Sequence, residues 1–420
     1  MQTPTGRDVG LANKQRVFNE LRRQLRASAD ALARSTGLSH PTVQKWLAEL
    51  ETEGYARQAG VGDSTGGRPP AIHEFVASRD YVAGLAVEIP NVSAAVMDLT
   101  GQMRAFASGV IPTDLDTDAT LSQLYAMLDD VVGRGLPAGR RPAALAVALT
   151  GFLDYRLGLS LATPRMPRWQ RVQVRRLFES RYAAPVTLTT HIDTLTVAEM
   201  AIGEARHLTD FLFFDVGWGV GTRVVHAGEL VVSAFGNSGL IGHTTVVPDG
   251  RRCVCGNFGC LEEYASGRAL AAVAAALGLI ERPGAAELPA VARLLLGPGA
   301  RYLHEPPVAQ LVKFMAIGIA NAVNIHDIPE VVLGGYLGEL GPGARADLEA
   351  QVRPRLQPTL RAHFRLTYSR LARAEGSAYG AGVTALRSML PGLEPVAVTA
   401  EPPVPMDGNG GGGHEAVVAS

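Results

Sequence analysis

The sequence predicts an α/β protein in which a short helical segment precedes a much larger domain of alternating strands and helices. Residues 11–50 show helical apolar spacing, and a run of Gly, Ser, Thr and Pro at 63–70 then interrupts regular structure. From Tyr81 onward, strand-like apolar stretches alternate with helical ones, which is typical of an α/β architecture. These stretches are Val82–Glu88, Ala143–Ala148, Val186–Thr189, Phe211–Val216 and Val331–Leu333.

Length and composition indicate a globular protein of two or three domains. The chain has 420 residues, of which 47% are hydrophobic and 19% are charged. Its longest apolar runs, such as Ala143–Leu149, are too short to cross a bilayer, and no apolar stretch follows the polar N-terminus, so we expect a cytoplasmic protein without a membrane partner. The expected domains are residues 1–75, residues 76–390 and a disordered Pro-, Gly- and Ala-rich tail at 391–420.

The N-terminal segment carries the start and stop signals of a helix-turn-helix. An apolar stripe at positions 11, 17, 21 and 25 predicts a first helix. Ser28 then precedes the predicted helix Ala29–Ser35, and Thr36–Leu38 forms the turn around a glycine. Ser39 caps the next helix, His40–Glu51, which has a proline near its first position.

The second helix of this motif has the polarity of a DNA-recognition helix. Val43, Leu47 and Leu50 face inward, whereas the early outer positions carry groups that hydrogen-bond base edges or phosphates. These candidate DNA-binding residues are Ser39, His40, Thr42, Gln44 and Lys45. Tyr55–Arg57 and the following loop predict a β-wing, from which Arg68 would reach a phosphate or the minor groove. Residues 1–75 have a net charge of only +2, so the segment is also compatible with a helical hairpin that docks on the larger domain.

All three cysteines of the chain lie within Cys253–Cys260. An odd number of thiols packed so closely does not suit a disulfide framework, and clustered thiols in a reducing compartment usually bind metal. Together with His243, Cys253, Cys255 and Cys260 complete a Cys3His set, which predicts a structural zinc site closed to water. The alternative is three inert buried cysteines beside an unrelated histidine.

This cysteine motif resembles the zinc signature of the ROK family, whose members are sugar kinases and sugar-responsive repressors. The resemblance runs from about residue 11 to residue 386 and includes several glycine-rich motifs in register with the cysteines. These are Thr150–Asp154, Gly217–Gly221, Gly334–Gly335 and Gly380–Gly382. It implies an actin-like, ribonuclease H-like, two-lobed sugar-kinase fold. A winged helix ahead of that fold resembles the repressor branch, because the kinases begin directly at the first strand.

The resemblance also implies that kinase activity has been lost. The family's phosphate-binding hairpin reads Asp-x-Gly-Gly-Thr-Lys, whereas this chain has Ala86 in place of the aspartate and Glu88 and Ile89 in place of the two glycines. Pro90 replaces the threonine. A glutamate would repel a triphosphate, and bulky side chains would block the approach of the backbone to it. We therefore predict that the protein is not an enzyme.

The family's sugar contacts are only partly retained. The five corresponding positions carry Thr190, His191, Leu240, His243 and Glu262. His243 and Glu262 match the family pattern; the other three depart from it, and Asp193 is displaced by two residues from the position of the catalytic base. We take His191, His243 and Glu262 as candidate ligand-binding residues. Either the pocket accepts a different, less polar or modified sugar, or it binds none.

Together these features predict a DNA-binding transcriptional regulator of carbohydrate metabolism, and more specifically a repressor. Its expected partners are a double-stranded DNA operator, a small sugar or sugar-derivative effector and further copies of the chain, as a homodimer or a dimer of dimers. Two alternatives stay open at this point: an ATP-dependent sugar kinase with an added DNA-binding head, and a DNA-binding regulator that senses no ligand.

Overall fold

The computed structural model describes residues 6–62, 69–163, 166–231, 238–281, 284, 287–390 and 392. These residues form an N-terminal head and two lobes, each of the lobes built on a five-stranded sheet. The predicted order of a helical head followed by an α/β domain is confirmed. Arg68 and nearly all of the tail beyond residue 390 lie outside the described residues.

The head is a winged helix-turn-helix. Its elements are α1 (Gly6–Gln24), β1 (Arg26–Ser28), α2 (Ala29–Thr36), α3 (His40–Thr52), β2 (Ala56–Val61) and β3 (Ala71–Phe75). The three strands form an antiparallel sheet in the order β1-β3-β2. The Ser28 hydroxyl accepts a hydrogen bond from the Ala31 amide, and the Ser39 hydroxyl accepts one from the Thr42 amide, so both predicted N-caps are present. Gly37, at φ 69°, ends α2 in the left-handed conformation.

The apolar stripe predicted for the first helix is only half right. Val17 and Leu21 are fully buried, but Leu11 and Leu25 are 58% and 49% exposed. Leu25 lies one residue beyond the end of α1, at φ 62°, where the chain leaves the helical period.

The first lobe combines a large sheet with helices on its faces. Its elements are β4 (Tyr81–Glu88), β5 (Asn91–Asp98), β6 (Met103–Val110), α4 (Thr117–Gly135), β7 (Ala144–Leu149), β8 (Phe152–Asp154), β9 (Leu159–Thr163), β10 (Met166–Val172), α5 (Val174–Tyr182), β11 (Val186–Thr190) and α6 (His191–Ile202). The main sheet has the order β11-β7-β4-β5-β6, with β4, β5 and β6 antiparallel and β7 and β11 parallel to β4. A small antiparallel sheet has the order β10-β9-β8.

The second lobe repeats that sheet pattern. Its elements are β12 (Phe211–Val216), β13 (Val220–His226), β14 (Glu229–Leu230), α7 (Glu262–Ala265), α8 (Gly267–Ala276), α9 (Leu288–Leu296), α10 (Pro306–His326), β15 (Glu330–Gly335), α11 (Pro342–Val352), α12 (Pro358–His363), β16 (Arg365–Tyr368) and α13 (Arg373–Met389). In the sheet order β14-β13-β12-β15-β16, an antiparallel meander is again followed by two parallel strands. The repeated topology defines the two lobes, and α13 returns to pack on the first of them.

Glycines allow α13 to lie directly on the first lobe. A Cβ atom on Gly84 of β4 would lie 2.4 Å from the Gly382 nitrogen, and one on Gly380 would lie 1.8 Å from the Thr194 carbonyl oxygen. Any side chain at either glycine would therefore push the last helix away from β4 or α6.

The head and the first lobe share one hydrophobic core. Val17 and Leu21 of α1 belong to the same buried cluster as Leu99, which follows β5, and Leu386 of α13. The buried Arg22 donates a hydrogen bond of 2.6 Å to the Leu99 carbonyl. The head is therefore packed against the larger domain and not merely tethered to it by a linker.

Helix α10 is the one described helix that is long and apolar enough to match a membrane span. Most of it is buried in the second lobe, in the cluster that also contains Phe214 and Leu333. Residues 316–324 contribute Ala316, Ile319 and Val323 to this cluster. The apolar character of α10 is explained by core packing.

Candidate functional site

A cavity of about 330 Å³ lies between the two lobes. Its wall includes the loop after β7, the start of α6, the turn between β12 and β13, and the cysteine-containing loop. All three candidate ligand-binding residues, His191, His243 and Glu262, line it. The volume falls within the range of about 300–1,000 Å³ that is usual for small-molecule pockets.

His191 is buried at the start of α6 and is held by α13. Its Nε2 atom lies 2.8 Å from the Ser377 hydroxyl and 3.2 Å from a carboxylate oxygen of Glu88. Burial lowers the pKa of His191, although the Glu88 carboxylate opposes this effect. The imidazole is already engaged by a hydroxyl and a carboxylate, so it is poorly placed to act as a free base.

An ionic cluster joins the two lobes beside His191. The Arg373 guanidinium, at the start of α13, donates two hydrogen bonds of 2.5 Å to Glu88 of β4. It donates two more, of 2.7 and 2.8 Å, to Asp215 at the end of β12. Burial would lower the pKa of Arg373, but Asp215 and Glu88 raise it well above its ordinary value. Glu88 could be singled out from the sequence, whereas Arg373 and Asp215 could not, because their only local signal is a charge at the end of an apolar strand or the start of a helix.

Asp193, two residues from the expected catalytic position, is also fully engaged. It forms an ion pair with Arg223 and accepts hydrogen bonds from the Tyr155 and Thr189 hydroxyls, each of 3.0 Å. With Thr190 it forms the capping box that begins α6. Although burial opposes it, Arg223 lowers the pKa of Asp193, which keeps the carboxylate charged and occupied.

Glu262 begins α7 at the opposite wall of the cavity. One of its oxygens accepts a hydrogen bond of 3.1 Å from the Val220 amide, and the other lies 3.7 Å from Arg268. Leu240 and Val254 also line this wall, with 43% and 58% of their surface exposed. The cavity therefore has polar groups on one part of its surface and uncovered apolar groups on another.

The four residues of the predicted metal site come together. The side-chain ligand atoms of His243, Cys253, Cys255 and Cys260 lie within 4.8 Å of one another. The Cys253 sulfur lies 3.6 Å from His243 Nδ1, and the Cys255 and Cys260 sulfurs are 3.7 Å apart. A tetrahedral site with metal–sulfur bonds of about 2.3 Å requires sulfur–sulfur separations of about 3.8 Å, so this cluster can hold a metal ion.

Glycine makes the cysteine loop possible. Gly259 lies at φ 70°, and a Cβ atom there would be 1.6 Å from the Val247 carbonyl oxygen. An isolated β-bridge between Thr245 and Cys260 returns the loop beside its own start. The last cysteine is thereby brought back to the histidine 17 residues earlier.

Five of the candidate DNA-binding residues lie at the N-terminal end of α3. Ser39, Gln44 and Lys45 are exposed at the N-terminal part of α3, and the Lys45 ammonium lies 4.4 Å from the centre of the Trp46 ring. His40 and Thr42 are half-buried; His40 Nε2 lies 3.2 Å from Asp30, and the Thr42 and Ser39 hydroxyls are 2.7 Å apart. Of these residues, Gln44 and Lys45 therefore have the side chains most available to contact DNA.

A second, larger cavity of about 890 Å³ lies on the other side of the ionic cluster. Glu88, His191 and Arg373 line both cavities and so separate them. The larger cavity also includes Ala86 and Ile89 of the stretch that replaces the family's phosphate hairpin.

The fold and the site define a two-lobed, sugar-kinase-like domain that carries a winged helix. The family model described as "ROK family" matches residues 84–387, and the chain belongs to that family. The chain is 25% identical over 347 residues to a protein of Caldicellulosiruptor sp. (strain Rt8B.4) named putative xylose repressor, with 81% of this chain and 87% of that protein covered. It is also 25% identical over 372 residues to the Escherichia coli (strain K12) protein named DNA-binding transcriptional dual regulator NagC, with 86% and 89% covered.

Solved structures support the same architecture. A ROK family transcriptional regulator described as a homolog of the E. coli MLC protein matches with a TM-score of 0.72 and 21% identity, covering 92% of this chain and 98% of its own. A ROK hexokinase from Thermus thermophilus matches with a TM-score of 0.59 and 27% identity, covering 74% and 99%. The resemblance and the fold class predicted from the sequence are confirmed.

Proposed function

We propose that this protein is a sequence-specific DNA-binding regulator of carbohydrate metabolism, acting as a repressor whose second domain senses a small sugar without phosphorylating it. The observation that carries the proposal is the winged helix, which presents the exposed start of α3 and shares its core with a ROK domain. The relatives named as putative xylose repressor and as NagC cover 81% and 86% of the chain.

The head supplies the groups needed to read double-stranded DNA. In a helix-turn-helix the N-terminal residues of the second helix enter the major groove, where Gln44 would pair with a base edge and Lys45 with a phosphate. Ser39 and Thr42 would add hydroxyl donors beside them. Arg68, from the wing, would reach the backbone or the minor groove.

The ionic cluster supports a non-catalytic role. Glu88 and Asp215 are both hydrogen-bonded to Arg373, so neither is available to position a nucleotide-bound cation, and Glu88 places a carboxylate in the larger cavity where phosphates would approach. Asp193 is paired with Arg223, and His191 is held by Ser377. The rival assignment, a sugar kinase with an added head, draws its support from solved kinase structures such as the Thermus thermophilus ROK hexokinase, which covers 74% of this chain.

The metal cluster would hold a structural Zn²⁺ through His243 and the three cysteines, as the donor set and spacing suit that ion. Such an ion would fix His243, and the loop that carries it, against the cavity wall that includes Glu262. Reduced thiols of this kind persist in the cytoplasm, where we place the protein.

Helix α13 offers a path from the cavity to the head. Arg373 and Ser377, in its first two turns, contact the cavity residues Glu88 and His191, while Leu386, near its end, packs in the core shared with α1. A ligand that shifts the start of α13 would change the position of the head through this one helix. In a homodimer or a dimer of dimers, that shift would alter the spacing of two heads on a palindromic operator.

Selection from a randomised duplex library with the full-length chain tests the DNA-binding part. We expect one enriched sequence, with Gln44→Ala weakening its binding by about 10-fold or more and relaxing specificity at one base pair. Lys45→Ala should weaken binding to all sequences and reduce the salt dependence by about one released ion, whereas the exposed Lys313→Ala, far from the head, should change neither. Failure to enrich any sequence would refute the proposal.

Measured ATP consumption on a panel of hexoses, pentoses and amino sugars tests the non-catalytic part. We expect no turnover above that of a preparation carrying Asp193→Asn. Sustained phosphorylation of any sugar that Asp193→Asn abolishes would establish the kinase alternative.

A further inference from the structure

Carboxylates outnumber arginines around the smaller cavity. Three arginines line it among the described residues, and each is paired with a carboxylate: Arg223 with Asp193, Arg268 with Glu263, and Arg373 with both Glu88 and Asp215. Glu262 adds a further carboxylate to the wall. A phosphorylated ligand would therefore have to displace an existing ion pair and approach uncompensated negative charge.

Apolar groups that are unusually exposed lie on the same cavity wall. Leu240 and Val254 are among the few large hydrophobic side chains that the described part of the chain leaves exposed. Phe152, Ile192 and Trp218, each half-buried, continue this apolar surface around the cavity. Exposed apolar surface that lines a concave site, rather than being scattered singly, is a mark of ligand binding.

The two exposed residues belong to segments with fixed positions. Leu240 precedes the short turn Ile241–His243, and its carbonyl accepts a hydrogen bond of 2.9 Å from the His243 amide. Val254 lies between two cysteines of the metal cluster. Both apolar side chains are thus attached to backbone whose placement is determined by neighbouring residues, which suits a preformed binding surface.

We infer that the effector is an uncharged glycoside with an apolar aglycone, such as an aryl glycoside, and not a free sugar or a sugar phosphate. Its sugar ring would use the polar groups near Glu262 and His243, and its aglycone would cover Leu240 and Val254. This inference rests on the proposed sugar-sensing function and specifies the ligand of that same site.

Calorimetric titration of the full-length protein tests the inference. The probes are the methyl and phenyl glycosides, in both anomers, of glucose, xylose and N-acetylglucosamine, together with glucose 6-phosphate. For the sugar that binds, we expect the phenyl glycoside to bind about 10-fold more tightly than the methyl glycoside, because the phenyl ring covers apolar surface that the methyl group leaves exposed to water. Glucose 6-phosphate should bind more weakly than either.

A double variant tests whether the phenyl group binds at Leu240 and Val254. Leu240→Ser combined with Val254→Ser should reduce the phenyl-to-methyl preference to about twofold or less, with the affinity for the methyl glycoside little changed. Leu157→Ser combined with Val110→Ser removes two side chains outside the smaller cavity that are more exposed, at 66% and 63%, and should leave the preference intact. Metal content and thermal midpoint are measured for both variants, so that misfolding is recognised.

Three outcomes would overturn the inference: equal affinity for methyl and phenyl glycosides, tightest binding of glucose 6-phosphate, or binding of none of the probes. The operator selection described above is independent of all three. A chain that enriches one DNA sequence but shows any of these outcomes keeps its proposed role as a regulator, and only the assignment of its ligand fails.

Discussion

Replacing Arg373 by methionine should destabilise the protein by about 3 kcal/mol. The substitution keeps much of the side-chain volume but leaves Glu88 and Asp215 without their shared cation. Removing one partner of a buried ion pair costs about 3–5 kcal/mol. Because 29% of the Arg373 side chain is exposed, with 16% and 8% for its two carboxylate partners, we take the lower end of that range.

Urea unfolding followed by circular dichroism and tryptophan fluorescence measures this loss. Trp218 lines both cavities beside the cluster, so its emission reports on the junction between the lobes. Arg373→Lys keeps the charge but loses the paired hydrogen bonds and should cost about 1–2 kcal/mol. In a Glu88→Gln background, Arg373→Met should cost less than in the wild type, because one fewer carboxylate is left unpaired.

The neighbouring Arg370→Gln is the matched control. Its side chain is 87% exposed and lies 3.5 Å from Glu204, so its loss should cost less than about 0.5 kcal/mol. If Arg373→Met cost no more than this control, the cluster would not hold the lobes together, and the reasoning above would be wrong.

Three further predictions follow from the fold and the site. Cys255→Ser should lower the metal content from one ion per chain and reduce the thermal midpoint; mass spectrometry showing one ion still bound would contradict the ligand assignment. Gly380→Ala should lower the free energy of unfolding, measured by urea titration, by about 3 kcal/mol because of the clash with the Thr194 carbonyl. Gly133→Ala, at an exposed helical position with free space around it, should raise that free energy by up to about 1 kcal/mol. Equal effects of the two substitutions would refute the role of close packing at Gly380. Burial holds the pKa of His191 below its unfolded value of about 6.5, so the stability that His191 contributes is complete above a pH of about 6.5 and is lost as the pH falls below that value. His191→Gln should therefore weaken the dependence of the urea midpoint on acid pH. An unchanged dependence would count against the burial of this imidazole.

Local signals made the head and the strands predictable. The caps Ser28 and Ser39 and the glycine at position 37 set the ends of α2 and α3 through contacts within four residues, so sequence alone located these helices. Val43, Leu47 and Leu50 are all buried as their spacing predicted. The candidate metal cluster could also be found from the sequence, since all the cysteines of the chain lie within eight residues.

Contacts between distant parts of the chain could not be predicted in this way. Arg373 meets Glu88 across 285 positions and Asp215 across 158, and no periodicity or spacing relates them. The exposure of Leu240 depends on the shape of the cavity and not on its neighbours in sequence. The packing of α13 against α1 was missed for the same reason.

The core shared by the first and last helices has a consequence for synthesis and for engineering. Residues 1–75 leave the ribosome long before Leu386, which completes their buried cluster, is made. If residues 1–75 were grafted onto another ROK protein, α1 would pack against the last helix of that protein and not against α13. Functional exchange of DNA specificity between relatives would therefore require both ends of the chain to be transplanted together.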